Sequence, residues 1–349
     1  MVTMIPDDMF TPEVMNDPYS YYGMLREEDP IHWNELYELW VITRHADLVW
    51  LTRNHELFSS ATFLNDPRPA YPAIIEADEE IYRAACNYQG NMFIQKDRPD
   101  HLEMRKVVHR YFTPKSMEEW RPLVISATNQ LLDEAESKTD VDLMLDLAVP
   151  LPLLVIAEMM GVPEEDRRYI RTLAEKLLFN NRGEPDRYRT YVEGMTGMFD
   201  YVSPLIDERK ENPGDDFISV LAGGEKDGIF TREQSLANTA LLLIAGHETT
   251  INLICNGTKS FMENRDQWDL FKTDTEGMMV RAAEEALRYD SPVKSLPRIA
   301  LEDVELGGKT IKKDDRVRWI IPSANRDPEK FDNPDAMDIT RWPNPHVAF

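Results

Sequence analysis

The sequence predicts a mainly α-helical fold with a small β-rich part near its C-terminal end, and three observations predict it. Helical periodicity recurs in segment after segment from His45 onward. The longest and most apolar of these segments is Thr231 to Met262. After Pro292 the texture changes to short β-like runs, RIALEDVEL and RVRWII, divided by Gly307-Gly308 and Asp314-Asp315.

Taken in order, Tyr19 to Glu28 reads as a short amphipathic helix, and the aromatic and β-branched run IHWNELYELWVIT reads as a small hairpin. His45 to Arg53 reads as helix, and Ser59 to Tyr71, with prolines at 67 and 69 and another at 72, reads as loop. A helix follows over Ile74 to Ala85. Pro99 opens another that runs to Phe112, and Thr113-Pro114 ends it before a periodic stretch from Ser116 to Ser137. Further helices are expected at Leu145 to Met160, Glu164 to Phe179, Asp186 to Lys210, Thr231 to Met262 and Glu276 to Tyr289. Asn212-Pro213-Gly214 and Gly223-Gly224 punctuate the region before the longest helix, and the Pro-, Asp- and Asn-rich end, from Asn325 on, reads as an ordered meander.

Composition bounds the function. A chain of 349 residues with 42% hydrophobic and 29% charged residues fits one globular domain, residues 1–349, with lobes. Its 39 basic against 63 acidic residues give a formal charge of −24, which argues against nucleic acid as a partner and against anionic membrane surfaces. Two cysteines, Cys86 and Cys255, make no disulfide framework, and neither has metal-ligand spacing to another cysteine or to histidine. The N-terminus has neither a basic start nor an apolar core of about 18 residues, so a cytoplasmic protein without signal peptide or anchor is expected.

The chemistry is signalled where the long helix stops being greasy. LLLIAGHETT places Gly246, Glu248, Thr249 and Thr250 after an apolar run, and burying such groups costs several kcal/mol, order of magnitude, unless they are hydrogen-bonded. A wet cavity beside the helix is the expected reason. His247-Glu248 fails as a zinc-protease motif, because Ile251 stands where the second histidine belongs. Glu285 and Arg288 share a helix face at a spacing that suits pairing. The same spacing recurs at Glu80/Arg83, Glu118/Arg121, Glu164/Arg167, Glu165/Arg168 and Glu184/Arg187, where solvated surface pairs are expected.

Context distinguishes the pair. EEALRYDSPV leads into SPVKSLPR with its Arg298, then SANRDPEKF and RWPNPHVAF, while DRPDHLEMRKVVHRYFTP lies upstream. With AGHETT, this ordered set resembles the soluble bacterial form of the cytochrome P-450 family of heme-thiolate monooxygenases, over about residue 15 to the last residue. The resemblance implies the cytochrome P-450 fold, a helical bundle around a long central helix with a small β-rich lobe. It implies a cytoplasmic monomer that carries heme b (iron protoporphyrin IX) and hydroxylates a small apolar substrate with O2. Electrons would come from NAD(P)H through a ferredoxin reductase and a ferredoxin.

By the same resemblance Glu248 and Thr249 relay protons on the distal face of the heme, and Ala245 and Gly246 leave room for dioxygen. His101, Arg105 and Arg298 hold the propionates, and Arg341 joins Glu285 and Arg288 in a structural triad. The stretch Asn91 to Ile94, with Leu241, Leu242, Val293 and Leu296, would line the substrate pocket. Arg105, Lys106, His109, Arg110 and Lys115 concentrate positive charge where the family's ferredoxin docks.

One departure stands out. In the family, a segment like PNPHVAF leads into the glycine-rich loop of the cysteine thiolate ligand, and this sequence ends at Phe349. Cys255 lies six residues after Thr249, about 240° around the helix, so it points away from the distal face. Cys86 has no glycine loop around it. The expectation is therefore a P-450 domain that is C-terminally incomplete, with no metal ligand in the chain. Its alternative function is a heme-free remnant or binding module.

Overall fold

The computed structural model describes residues 8–65, 79–178 and 186–348, and the chain divides into two compact units. The part of the expected loop from residue 66 to 71, the start of the helix expected from Ile74, and Phe179 lie outside the described residues.

The N-terminal part of the first unit, up to Ser60, comprises α1 (Pro12–Asn16), α2 (Pro18–Glu28), β1 (Ile31–Asn34), β2 (Leu39–Ile42), α3 (His45–Arg53) and β3 (Phe58–Ser59). The second unit, residues 61–251, is helical: α4 (Thr62–Asn65), α5 (Glu79–Gly90), α6 (Asp100–His109), α7 (Pro114–Glu136), α8 (Pro150–Met160), α9 (Arg167–Leu178), α10 (Arg187–Glu211) and α11 (Phe217–Lys226). The long helix α12 (Arg232–Glu263) belongs to this unit as far as Ile251. Its remainder opens the second stretch of the first unit, with α13 (Arg265–Thr273), α14 (Thr275–Tyr289), β4 (Ser295–Ala300), β5 (Val304–Leu306), β6 (Lys309–Ile311), β7 (Arg316–Ile320) and α15 (Ile321–Ala324).

In the first unit five strands form one sheet in the order β1-β2-β7-β4-β3. The hairpin expected from IHWNELYELWVIT forms with Trp33 opposite Trp40, whose rings lie 5.4 Å apart. Cross-strand aromatic pairs of this kind stabilise a hairpin that would be marginal alone. β2 then runs parallel to β7, so residues nearly 280 apart in sequence share a ladder, while β4 joins β7 antiparallel. Ile31, Ile42, Phe58, Val317 and Trp319 bury together under this sheet. The second unit has its own core, in which Ile156, Met160, Ile170, Met195, Met198 and Leu243 are buried.

Of the helices longer than five residues two escape the sequence reading, and each has a local cause. Gly223 and Gly224 read as a break, yet both lie inside α11, because Asp216 caps its N-terminus and Gly224 lets Phe230 approach within 2.5 Å of where a Cβ would stand. α13 is short and polar, with no buried residue of its own to set a periodicity. Between α7 and α8 the backbone takes a π turn over Met144–Ala148, so the helix expected from Leu145 begins properly only at Pro150. The segment expected as loop also contributes β3 and the single turn α4. Among the described residues no helix is long and apolar enough to cross a membrane.

α8 ends at Gly161 in the left-handed region, φ 75°, where a Cβ would stand 2.6 Å from Asp216 Oδ2. Asp216 also receives Ser219 N–H at 2.7 Å and Arg209 Nε at 2.7 Å. Gly161→Ala is therefore expected to strain the backbone and disturb that cap together, costing about 2 kcal/mol. A lowered urea midpoint at unchanged m-value checks it.

Candidate functional site

Glu285 and Arg288 are both fully buried on α14. Arg288 spends all five N–H donors: Nε and Nη2 on the two Glu285 oxygens at 2.8 and 2.7 Å, Nη1 on the Asn325 and Pro334 carbonyls, and Nη2 again on that of Ala336. Glu285 also accepts the backbone N–H of Asp338 at 2.8 Å and Asn344 Nδ2 at 3.0 Å. Arg341 Nε stands 3.3 Å from Glu285 Oε2, an ion-pair distance at an angle that makes no hydrogen bond. The Arg341 Nη1 donates to the Asp332 carbonyl. The structure thus brings Glu285, Arg288 and Arg341 together and ties the meander to α14.

The run SANRDP has the same logic, since almost every polar residue in it is buried and occupied. Ser323 accepts Arg26, Asn325 donates to Ser291 and accepts Val347 N–H, and Asp327 accepts His45 N–H at 2.8 Å. Arg326 donates to the Tyr289 carbonyl with its guanidinium 3.5 Å over the Tyr19 ring.

In α12 the anomaly of AGHETT divides among neighbours. A Cβ on Gly246 would stand 2.9 Å from Ile156 Cδ1, so this glycine permits close approach of α8. His247 is buried and its Nε2 lies 2.9 Å from the Val149 carbonyl. Burial first, then the neighbouring Arg171 charge, hold its imidazole below the ordinary pKa. Ala245 and Glu248 are exposed, and Thr249 is half-buried. The hydroxyls of Thr249 and Thr250 donate back to the carbonyls of Ala245 and Gly246, each at 2.7 Å.

The cation candidates differ. Arg105 on α6 is exposed and has no ion pair among the described residues, and the same holds for Lys106, His109, Arg110 and Lys115. His101, half-buried one turn earlier, stacks on Phe93 at 6.0 Å between ring centroids. Arg298 on β4 lies 4.5 Å over the Trp319 ring, and its Nη1 donates to the Pro297 carbonyl.

Of the expected pocket residues, Ile94 and Leu296 are exposed, and Asn91 bonds the Asn87 carbonyl at the end of α5. Leu241 is instead buried in the core of the second unit, and Leu242 packs beside it. Val293 packs against the core under the sheet. Asn344 and Trp319 are partners of the triad and of Arg298 that sequence reasoning missed. Asn344 lay within the quoted RWPNPH, but only the fold places it against a buried carboxylate.

Comparison with known proteins gives this arrangement a family. The cytochrome P450 family model matches residues 278–348, the stretch carrying most of α14, the later strands and the meander. The polyketide biosynthesis cytochrome P450 PksS of Bacillus subtilis is 34% identical over 352 residues, 98% of this chain and 84% of the relative. A steroid C26-monooxygenase of Rhodococcus jostii is 33% identical, covering 98% of this chain and 72% of the relative. The crystal structure of P450BioI with an acyl carrier protein ligated to hexadec-9Z-enoic acid matches at TM-score 0.86 and 32% identity, over 97% of this chain and 86% of that one. The chain belongs to the cytochrome P450 family of heme monooxygenases.

Family membership implies a heme, and two features fit one. An exposed Ala245 and Glu248 in the middle of a largely apolar helix give a small-residue face with polar groups beside it, and the exposed, unpaired Arg105 guanidinium suits a propionate. Of the two cysteines, Cys86 is buried in α5 with its thiol pushed up by burial, and Cys255 lies half-buried in α12.

Glu285→Ala leaves the Arg288 and Arg341 charges facing a void, and we expect it to destabilise the protein by about 3–5 kcal/mol. Urea unfolding checks this, and Glu285→Gln should cost less. His247 gives a second prediction. Its folded pKa lies below the ordinary 6.5, so between the two values the unfolded chain binds the extra proton. Its contribution is complete above pH 6.5 and is lost as pH falls below that value. Urea midpoints from neutral to mildly acid pH should show this loss, and His247→Gln should flatten it. Because His45 is held down by burial too, the variant removes only part of the slope.

Proposed function

We propose that this protein is a monooxygenase that inserts one atom of O2 into a small apolar substrate, with electrons passed from NAD(P)H by a ferredoxin reductase and a ferredoxin. The observation that carries the reading is the face of α12 where Ala245, Glu248 and Thr249 open the otherwise apolar helix. When bound, heme supplies the iron that activates dioxygen. In the second unit, His101 and Arg105 are the side chains that would hold a propionate, by charge-assisted hydrogen bonds.

The chain's own part is to hold and move protons. Thr249 has committed its hydroxyl proton to the Ala245 carbonyl, so its lone pairs face outward as acceptors that can fix a water molecule. Glu248, exposed one residue earlier, exchanges protons with solvent and passes them toward that water. Thr250 has its hydroxyl on the Gly246 carbonyl, on the side that packs against α8, and has no part in the relay.

Relatives and a solved neighbour carry names of polyketide biosynthesis, steroid C26 monooxygenation and a hexadec-9Z-enoic acid ligated to acyl carrier protein. The exposed Ile94 and the half-buried Leu242 of the second unit favour an apolar substrate here. Arg105, Lys106, His109, Arg110 and Lys115 form an unpaired basic face on a chain of charge −24, which suits an acidic redox protein.

Isotopically labelled dioxygen tests the reaction: the purified protein with hemin, reductant and an apolar substrate panel should place label in product. Retention of no heme would overturn the reading and favour a binding module. Thr249→Ala should lower product formed per dioxygen consumed several-fold, while Thr249→Ser retains it and Thr250→Ala changes it little. Lys106→Glu with Arg110→Glu should slow reduction by ferredoxin about tenfold or more at low salt, with the deficit shrinking as salt rises. Stopped-flow reduction across a salt series measures it.

A further inference from the structure

Asn238 lies in α12 two turns before Ala245, and its side chain is 1% exposed. Burying a carboxamide this completely is costly unless each polar atom is occupied. Nδ2 donates to the Gln234 carbonyl at 2.7 Å within the helix, a bond that fixes the amide's orientation. Oδ1 then points out of the helix and receives the backbone N–H of Phe93 at 2.9 Å, across 145 residues of sequence.

Phe93 opens the single turn Phe93–Gln95 between α5 and α6, and its ring does two things at once. It packs against both apolar clusters of the second unit. It also stacks on His101 of α6 at an interplanar angle of 23°. On a helix advancing about 100° per residue, Asn238, Ala245 and Thr249 fall within roughly 40° of one another. The side chain that grips the loop therefore leaves α12 from the same stripe as the proposed relay.

We propose that Asn238 is a positioning residue for the cofactor seat: its amide fixes Phe93, and Phe93 fixes the ring of His101 for a heme propionate. The proposal rests on the monooxygenase reading for its ligand, but the latch itself does not. A buried hydrogen bond to a loop amide holds that loop closed, and its loss raises the open population by about tenfold. The stack then loses the surface against which the imidazole is oriented.

Amide hydrogen exchange on the full chain, without added heme, tests the latch. Asn238→Ala should speed exchange across residues 91–96 by about tenfold, and Asn238→Asp, which keeps an acceptor for Phe93, should restore most of the protection. Thr239→Val is the control, since it removes a buried hydroxyl that bonds only the Ser235 carbonyl of its own helix. It should lower stability without touching the loop. The His101 ring resonances, read by NMR, should move in Asn238→Ala and Phe93→Ala alike, because the ring-current shift from the stack disappears. Unchanged exchange at 91–96 in Asn238→Ala, or equal acceleration in Thr239→Val, would overturn the latch. Altered exchange with unmoved His101 resonances would overturn the coupling to the cofactor seat. With hemin as the probe, Asn238→Ala should release heme several-fold faster than the parent. Equal release rates overturn the proposed role, whereas a parent that retains no hemin removes the monooxygenase reading and leaves the exchange result standing.

Discussion

The buried Glu285 carboxylate is the interaction on which the first unit depends. Taking a carboxylate and a guanidinium out of water costs several kcal/mol per ion, and the cost is recovered only if every remaining donor and lone pair finds a partner. Here the partners are backbone groups of a segment with almost no regular structure of its own: the carbonyls of Asn325, Pro334 and Ala336 and the N–H of Asp338. The meander is therefore ordered by an ion pair rather than by a ladder or a helix. Because the pair sits on α14, whose Ala282 packs with Met337 and Ile339 of the meander, apolar burial and polar satisfaction fix the same register.

That constraint also explains why one E-x-x-R among six matters. Glu118 and Arg121 have the same spacing and good hydrogen bonds, at 2.8 and 2.9 Å, but both are exposed, where solvent screens such a pair and it contributes little. Arg83 turns back to Glu79 rather than Glu80, and Arg167 reaches Glu158 rather than Glu164. Spacing decides which side chains can meet. Burial decides whether the meeting organises anything, and burial is a property of the fold.

What was legible follows from the same distinction. Long helices with one apolar stripe, such as α7, α10, α12 and α14, declare themselves, and so do a hairpin of alternating aromatics and a proline at the first helical position. α11 did not, because its glycines mark a close packing against Phe230 that resembles a turn on paper. Among the candidate site residues, order along the chain was legible, but direction was not. Leu241 reads as well for a pocket wall as for a core residue until the partners around it are known.

Direction is also what resolves AGHETT. At about 100° per residue, Gly246, Thr250 and His247 fall within one sector of α12, at roughly 0°, 40° and 100°. Two of these dock the helix: Gly246 admits Ile156 and His247 holds the Val149 carbonyl, so α8 and the π turn before it fix the rotation of α12 about its own axis. With that sector committed, Glu248 at roughly 200°, Ala245 at 260° and Thr249 at 300° must face the other way. Ala245 and Glu248 are the exposed ones, and Thr249 borders them. A glycine and a histidine that dock the helix thus determine which alcohol faces outward. Had α12 turned by one residue, Thr250 would stand where Thr249 stands and Thr249 where Glu248 stands. The local sequence admits either, and the contact with α8 selects between them.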